Sequence, residues 1–178
     1  MLRPCKGAGG GGIAKAGGLF MPDILLTRVD NRLIHGQVGM TWATHLGANL
    51  IIVANDEVAN DEVQQNLMDM AVASAAETRY FTLQKTIDVI DMAGDWQHIF
   101  LVVKTPQDAL TLAENGVPID VLNIGNMHFS EGKKQVTSTI SVDEDDKATF
   151  RRLMDLGIKI ELRKVPSDSV IPVEKIFE

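Results

Sequence analysis

The sequence of 178 residues contains a single cysteine, Cys5, and no long run of apolar residues. One cysteine excludes an internal disulfide framework and a cysteine-rich metal site, and it is typical of a chain from a reducing compartment. No stretch approaches the ~20 consecutive apolar residues that a transmembrane helix needs. We therefore expect a cytoplasmic protein without a membrane-spanning segment.

Basic residues are outnumbered, because 17 Lys and Arg stand against 24 Asp and Glu, for a formal net charge of −7. A protein that binds the phosphate backbone of a nucleic acid needs clustered Lys and Arg, so nucleic acid is a poor candidate for a partner. Phosphate-binding Gly-x-x-x-x-Gly-Lys-Ser/Thr loops, dinucleotide loops after the first predicted strand and histidine pairs at metal-binding spacing are also missing. The sequence therefore indicates no nucleotide, no other cofactor and no metal.

Residues 1–20 differ in composition from the remainder of the chain. They hold seven of the 15 glycines and three basic residues, and they contain no acidic residue. Glycine at this density cannot form a stable helix or core. We expect residues 1–20 to be a flexible tail, or an artefact of the start site or of cloning, and residues 21–178 to form a single domain.

From Met21 onward, short runs of branched apolar residues alternate with longer segments of helical periodicity. This order predicts an α/β fold with an open, mostly parallel or mixed sheet of about seven strands and helices on both faces. The predicted strands are Ile24–Val29, Leu50–Ala54, Thr78–Leu83, Ile99–Val103, Val121–Ile124, Thr137–Val142 and Ile158–Lys164. The predicted helices are Gln37–Leu46, Glu57–Ala76, Thr86–Met92, Pro106–Glu114, Glu144–Leu156 and Val173–Phe177.

The loop after the first predicted strand is the most informative segment, because ligands of such sheets bind where loops leave the carboxyl ends of the strands. Together with the end of the strand, residues 28–37 carry two arginines, a carboxylate and a histidine. We expect His35 at the start of the next helix, where unpaired N–H groups favour an anion and a neutral imidazole. A neutral imidazole beside Arg28 and Arg32 suits a phosphorylated histidine, but acid–base catalysis or a simple helix cap fits the same residues.

A second loop, residues 125–135, is expected at the same edge of the sheet and contains glycines that permit close approach of the backbone. Its candidates for the rim of the site are Asn126, His128 and Lys133. An ordered loop without a chemical role is the equal alternative. His45, near the end of a predicted helix where a cation is mildly favoured, is expected to have no chemical role, and His98, before a predicted strand, is expected to be a surface residue.

Residues 28–38, RVDNRLIHGQV, resemble the active-site loop of the IIB components of the mannose-type bacterial sugar phosphotransferase system, whose members serve mannose, fructose, sorbose or N-acetylgalactosamine. Residues 123–135, NIGNMHFSEGKKQ, resemble a second loop of this family, and residues 140–144 and 157–165 resemble its last third. The resemblance covers the chain from Met21 onward. It implies a cytoplasmic phosphotransferase that associates with a membrane transporter and needs no cofactor.

The resemblance further implies that His35 accepts a phosphoryl group from the phosphohistidine of a IIA protein or domain. His35 would then pass the group to a sugar held by the membrane components IIC and IID. The phosphoryl group would lie on the ring nitrogen nearer the main chain, with Arg32 and Arg28 as the matching cations. Asp30 is also a candidate to orient the imidazole. The residues that shape the loop or bind the phosphoryl group would be Asp30, Asn31, Gly36 and Gln37.

A strongly acidic protein that receives a phosphorylated acidic partner needs a local positive rim, for which the candidates are Arg28, Arg32, Lys133 and Lys134. The second loop resembles most closely that of members specific for N-acetylgalactosamine or galactosamine, while the sugar and a homo-oligomeric state are left open. The alternative function is a non-enzymatic, flavodoxin-like module that holds a phosphorylated metabolite in the same loop.

Overall fold

The computed structural model describes residues 21–178, except for the side chains of Gln37 and Val38. The predicted tail, residues 1–20, lies outside the described residues. The strands are β1 (Asp23–Asp30), β2 (Leu50–Ala54), β3 (Glu77–Phe81), β4 (His98–Val103), β5 (Val121–Asn126), β6 (Lys134–Gln135), β7 (Ser141–Val142), β8 (Lys159–Leu162) and β9 (Ile171–Pro172). The helices are α1 (Gly36–Leu46), α2 (Glu62–Val72), α3 (Leu83–Val89), α4 (Pro106–Glu114) and α5 (Glu144–Asp155), with short 3-10 turns at Val58–Asn60, Ile90–Met92 and Val173–Ile176.

Seven strands form the main sheet in the order β3-β2-β4-β1-β5-β8-β9. Every neighbouring pair in it is parallel except β8 and β9, which run antiparallel at one edge. The predicted fold class, an open and mostly parallel mixed sheet, is confirmed. Strand β1 lies in the middle, so the loop that follows it is flanked by the carboxyl ends of β4 and β5.

Helices pack on both faces of the sheet. Alternate side chains of each central strand point to opposite sides, so each strand contributes to two core clusters. Phe100 and Val102 of β4 belong to a core cluster with Trp42 of α1 and Met68 of α2. The intervening side chains of β4 belong to a second cluster with Leu112 of α4 and residues of α5. The expected helices on both faces are therefore present. Within residues 21–178, no helix is both long and apolar enough to cross a membrane.

The predicted strand Thr137–Val142 is wrong in its extent and in its sheet. Only Ser141–Val142 is a strand, and it pairs antiparallel with Lys134–Gln135 outside the main sheet. The N–H groups of Val136 and Thr137 both donate to the carbonyl oxygen of Ile140, at 2.9 and 3.1 Å, which closes a turn over the polar residues. The seventh strand of the main sheet is instead β9, a two-residue strand that the pattern did not indicate.

The predicted helix Glu57–Ala76 is interrupted at Asp61. The carboxylate of Asp61 accepts hydrogen bonds from the N–H groups of Val63 and Gln64, both at 3.1 Å, so a new helix begins after it. The preceding residues form a separate 3-10 turn. The predicted helix Val173–Phe177 is likewise a 3-10 turn, Val173–Ile176, rather than an α-helix.

Candidate active site

The loop between β1 and α1 is folded tightly around the end of β1. The N–H of Leu33 donates to the carbonyl oxygen of Asp30 at 2.8 Å, and Leu33 has a φ of +57°. A left-handed leucine costs roughly 1 to 2 kcal/mol. Burial of the side chains of Leu33 and Ile34, which are 5% and 4% exposed, offsets this cost and holds the loop against the sheet. The next residue, His35, is the N-cap of α1, as expected.

The imidazole of His35 is 22% exposed, and its Nε2 lies 3.3 Å from Oδ2 of Asp30. Among the described side chains, Nδ1 has no hydrogen-bond partner. No acidic residue lies in the first turn of α1, where the backbone N–H groups have no partner within the helix. The arrangement leaves one ring nitrogen engaged with a carboxylate and the other beside a helix end that favours an anion.

Asp30 is completely buried and is the centre of this arrangement. Its Oδ1 accepts a hydrogen bond from the N–H of Arg32 at 3.1 Å, and its Oδ2 accepts one from Nη2 of Arg28 at 3.0 Å. Burial alone would raise the pKa of Asp30, but the hydrogen bond with His35 and the charge of Arg28 outweigh it and lower the pKa. The carboxylate therefore faces His35 in its ionised form.

Arg28 does not lie on the surface of the site, contrary to the expectation that it faces the phosphoryl group or forms part of a positive rim. Its side chain is only 3% exposed, and Nη1 donates to Oδ1 of Asn123 at 2.6 Å. The guanidinium also lies over the ring of Trp42, with Cζ 5.5 Å from the ring centroid. Alternation along a strand places residues 28 and 30 on the same face, so Arg28 contacts Asp30 beneath the loop rather than the space above His35.

Arg32 is the exposed cation of the loop. Its backbone N–H is tied to Asp30, while its guanidinium forms no ion pair with any described residue. The charge of Arg32 is close enough to contribute to lowering the pKa of Arg28, after the larger effect of burial. The structure therefore separates the two arginines, with Arg32 at the surface and Arg28 in the interior.

Asn31 connects the loop to its neighbours at the same edge of the sheet. Its Oδ1 accepts a hydrogen bond from the N–H of His128 at 2.7 Å, and its Nδ2 donates to the carbonyl oxygen of Lys104 at 3.2 Å. Its own N–H donates to the carbonyl oxygen of Asn126 at 3.0 Å. The structure thus brings Asn126 and His128 next to the first loop, and the side chain of His128 is exposed there.

Lys133 is turned away from this group, contrary to the expected rim. Its Nζ contacts the carboxylates of Asp146 and Asp143 at the start of α5, the latter at 3.3 Å. Burial would lower the pKa of Lys133, but the hydrogen bonds and charges of these two carboxylates outweigh it and raise the pKa. Lys134 likewise donates to the backbone oxygen of Glu178. The sequence signal that could have indicated this position of Lys133 is the run of acidic residues at the start of α5, which supplies the carboxylates that pair with it.

A shallow groove beside His35 was not predicted from the sequence. Its walls come from the loop and from α2, and they are lined by Ile34, His35, Gly36, Gln64, Leu67, Met68 and Ala71. Next to the groove, α2 exposes Val63, Leu67 and Met70, which are 71%, 61% and 78% exposed. These three residues are spaced by four and then three positions, which places them on one face of a helix, and this spacing was the sequence signal that could have indicated the surface.

The structure places Gly36, which has a φ of +45°, at the first position of α1. The side chain of Gln37 lies outside the described residues.

In this α/β domain, the loop after the central strand ends at His35, which is the N-cap of α1, and a buried carboxylate contacts one nitrogen of its ring. This arrangement fits a phosphotransferase that uses histidine. Residues 24–178 match the family described as "PTS system sorbose subfamily IIB component", and the chain belongs to this family of sugar phosphotransferase IIB components. The resemblance seen in the loops is confirmed.

Individual relatives agree with this family. The chain is 51% identical over 157 residues to the N-acetylgalactosamine-specific phosphotransferase enzyme IIB component 2 of Escherichia coli, with 88% of this chain and 100% of the relative covered. It is 38% identical over 146 residues to the mannose-specific EIIAB component of E. coli, covering 80% of this chain and 45% of that protein. The crystal structure of the N-acetylgalactosamine-specific IIB component 1 from E. coli superposes with a TM-score of 0.82 at 46% identity, covering 84% and 99% of the two chains.

Proposed function

We propose that the phosphoryl group handled by this IIB component is carried on Nδ1 of His35. The contact between Nε2 of His35 and the buried, ionised carboxylate of Asp30 carries the proposal. A carboxylate at Nε2 favours the tautomer that keeps its proton there, which leaves the lone pair of Nδ1 free to attack phosphorus.

The transfer takes place in two displacements. Nδ1 first forms a bond to the phosphorus of a phosphohistidine on a IIA protein, and the electron pair of the breaking P–N bond returns to the donor imidazole. A sugar hydroxyl oxygen then bonds to phosphorus, the bond to Nδ1 breaks and returns its electron pair to His35, and the hydroxyl proton leaves to solvent. Because the transition state is metaphosphate-like, it needs positioning and charge stabilisation, which Arg32 and the first N–H groups of α1 supply.

The function is tested by incubating the protein with its phosphohistidine donor proteins and radiolabelled phosphoenolpyruvate. We expect a label on the protein that is labile in acid and stable in alkali, and that is lost when membranes containing IIC and IID are added together with the sugar. A protein that binds a phosphorylated metabolite without reacting would take up no label, and that result would favour the alternative function.

The sugar we propose is N-acetylgalactosamine or galactosamine, because relatives at 51% and 46% identity are named for N-acetylgalactosamine. The experiment uses membranes with the matching IIC and IID components and offers each sugar separately. Discharge of the label by N-acetylgalactosamine or galactosamine, and not by mannose, fructose or sorbose, is the expected result. Discharge by sorbose alone would assign the chain to the sorbose-specific members instead.

The proposed phosphoryl donor is a IIA protein or domain, and we place its docking surface on the groove beside His35 and the exposed face of α2. The name EIIAB of the mannose-specific relative joins a IIA and a IIB component. A protein that reaches Nδ1 of His35 must cover the groove, since His35 forms part of its wall together with Leu67. The exposed apolar side chains of α2 continue this surface, and the buried core of a protein interface is apolar and poor in charged residues.

Leu67→Asp is expected to slow transfer from phosphorylated IIA about 10-fold or more, through a higher KM for IIA, because it places a charge at the centre of this surface. Single-turnover transfer at increasing IIA concentration measures the effect. Met92→Asp is the matched control, since Met92 is 80% exposed and borders Leu50 and Ile52, which belong to the core cluster on the other face of the sheet from α2. Normal transfer from IIA with impaired transfer to the sugar would instead assign this surface to the membrane components.

Residues 21–178 are proposed to form a single phosphotransferase domain, because the family match covers residues 24–178. Deleting residues 1–20 is expected to leave both the melting temperature and the rate of phosphoryl transfer unchanged. A glycine-dense segment does not offset the entropy lost when it becomes ordered. Thermal unfolding and the labelling assay check this, and a clear fall in melting temperature would show that the segment docks on the domain.

A further inference from the structure

The guanidinium of Arg28 lies between β1 and β5, and two residues of β5 determine where it can lie. Asn123 accepts its shortest hydrogen bond, at 2.6 Å, and Gly125 leaves the space that it occupies. We propose that Asn123 and Gly125 are positioning residues for phosphoryl transfer, which hold Arg28 so that Oδ2 of Asp30 stays on Nε2 of His35. This inference rests on the proposed role of His35 as the phosphoryl carrier.

The amide of Asn123 has only one orientation that satisfies its surroundings. Its Nδ2 donates to Oε1 of Glu161 at 3.3 Å and to the carbonyl oxygen of Arg163 at 3.1 Å. Rotating the amide by half a turn would place Nδ2 against the N–H groups of Arg28 and its oxygen against two acceptors. Glu161 is itself held by Nη2 of Arg163 at 3.1 Å, so the oxygen of Asn123 is kept facing Arg28.

Gly125 is needed for space rather than for an unusual backbone angle. A Cβ at this position would lie 1.9 Å from both Cζ and Nη2 of Arg28. The φ of Gly125 is not in the left-handed region, and the residue lies inside β5. An alanine therefore fits the backbone there but displaces the guanidinium, because two atoms that are not bonded to each other cannot approach so closely.

Trp42 closes the other side of the space around Arg28. Cζ of Arg28 lies 5.5 Å from the centroid of its ring, and Cζ of Arg163 lies 5.0 Å from it. The indole is fixed by a hydrogen bond from Nε1 to the carbonyl oxygen of Lys164 at 3.1 Å. Because the indole restricts movement on its side, a guanidinium pushed away from Gly125 must change its hydrogen bonds. These run from Nη1 to Asn123 and, at 3.3 Å, to the carbonyl oxygen of Arg163, and from Nη2 to Asp30.

Displacing Arg28 alters the state of His35 through Asp30. Asp30 is the charged group that contacts the imidazole, Arg28 and the N–H of Arg32 act on it through Asp30, and the groove wall from α2 carries no charge. Without Arg28, Asp30 is a buried carboxylate with one strong partner fewer. It is then free to turn away from Nε2, so the contact that holds the ring proton on Nε2 is weakened. The share of the tautomer with its proton on Nε2 therefore falls.

The test is the tautomer of His35 in the full-length protein labelled with ¹⁵N-histidine, recorded by NMR without any donor protein. The His35→Ala spectrum identifies the His35 signals. We expect the tautomer protonated on Nε2 to be more populated than the tautomer protonated on Nδ1 in the parent protein, and the ratio of the two to fall at least about twofold in Gly125→Ala and in Asn123→Ala. Transfer from phosphorylated IIA should fall ~10- to 100-fold in the same variants, as expected for a misplaced reacting group.

Ile124→Ala is the matched control, because Ile124 is a buried neighbour in β5 that belongs to the core cluster of α4 and α5. It should lower the melting temperature without changing the His35 signals. Asn123→Ala keeps the inference testable if Gly125→Ala does not fold. Folded Gly125→Ala and Asn123→Ala variants with the signals of the parent would overturn the inference, as would an equal change in Ile124→Ala. Labelling of His35→Ala would instead overturn the carrier role and leave the spectra unaffected.

Discussion

Replacing His35 with alanine is expected to reduce phosphoryl labelling to background while the protein folds normally. The imidazole supplies the only proposed nucleophile, and it lies outside both hydrophobic core clusters. Without it, Asp30 keeps its hydrogen bonds from Arg28 and from the N–H of Arg32, so the buried carboxylate is still paired. His35 is also an N-cap whose side chain makes no capping hydrogen bond, so alanine removes no cap contact. Incorporation of phosphate from radiolabelled phosphoenolpyruvate through the donor proteins measures the loss, and thermal unfolding measures stability.

The controls for this variant are His45→Ala and His98→Ala. Both residues are exposed, which confirms the prediction made for His98, and His98 lies at the first residue of β4, which is the opposite end of the strands from the loop. Both variants should keep the parent's labelling. A His35→Ala protein that still carried acid-labile label would show that another residue is the phosphoryl acceptor.

Arg32→Ala is expected to slow phosphoryl transfer by about 100- to 1,000-fold, the usual effect of removing one charged or polar donor aimed at a transition state. The guanidinium is exposed beside the loop and forms no ion pair with a described residue, so it is available to the phosphoryl oxygens. An exposed loop side chain of this kind changes the free energy of unfolding by only about 0.5 kcal/mol or less. Single-turnover transfer from phosphorylated IIA measures the rate, and thermal unfolding measures the stability.

Arg32→Lys should recover only part of the rate. A guanidinium donates two parallel hydrogen bonds to the oxygens of a phosphoryl group, whereas an ammonium acts as a point charge. Arg28→Ala provides the contrast, because it removes a buried partner of Asp30 and is expected to lower the melting temperature as well as the rate. Transfer at the parent's rate in Arg32→Ala would leave the stabilising charge to the backbone N–H groups of α1.

The two arginines show why the residue types around a loop do not reveal which side chain is exposed and which is buried. Arg28 and Arg32 are four residues apart and chemically identical in the sequence. Their separation depends on the face of β1 that each side chain occupies and on the space left by Gly125, a residue nearly one hundred positions away. Lys133 shows the same difficulty, because the carboxylates that hold it belong to α5.

The strand predicted for residues 137–142 was wrong for a different reason. Its alternation of β-branched and polar residues satisfies the pattern of a strand, but strand assignment depends on a neighbour with free hydrogen-bonding groups. The polar residues instead close a turn onto Ile140, and the edge of the main sheet is taken by β9. A two-residue strand carries too little periodicity to be recognised along the chain.

The sequence by itself determined the α/β class, the strands of the sheet centre, and His35 at the start of α1, because apolar periodicity and helix-start chemistry are local properties of the chain. The motif around His35 also determined the family. Only the tertiary structure decided which groups surround the imidazole: Asp30 on Nε2, Arg28 beneath it, and Asn123 holding Arg28 from the neighbouring strand. These contacts join residues far apart in the chain, and their distances depend on strand register and close packing, which no local pattern encodes.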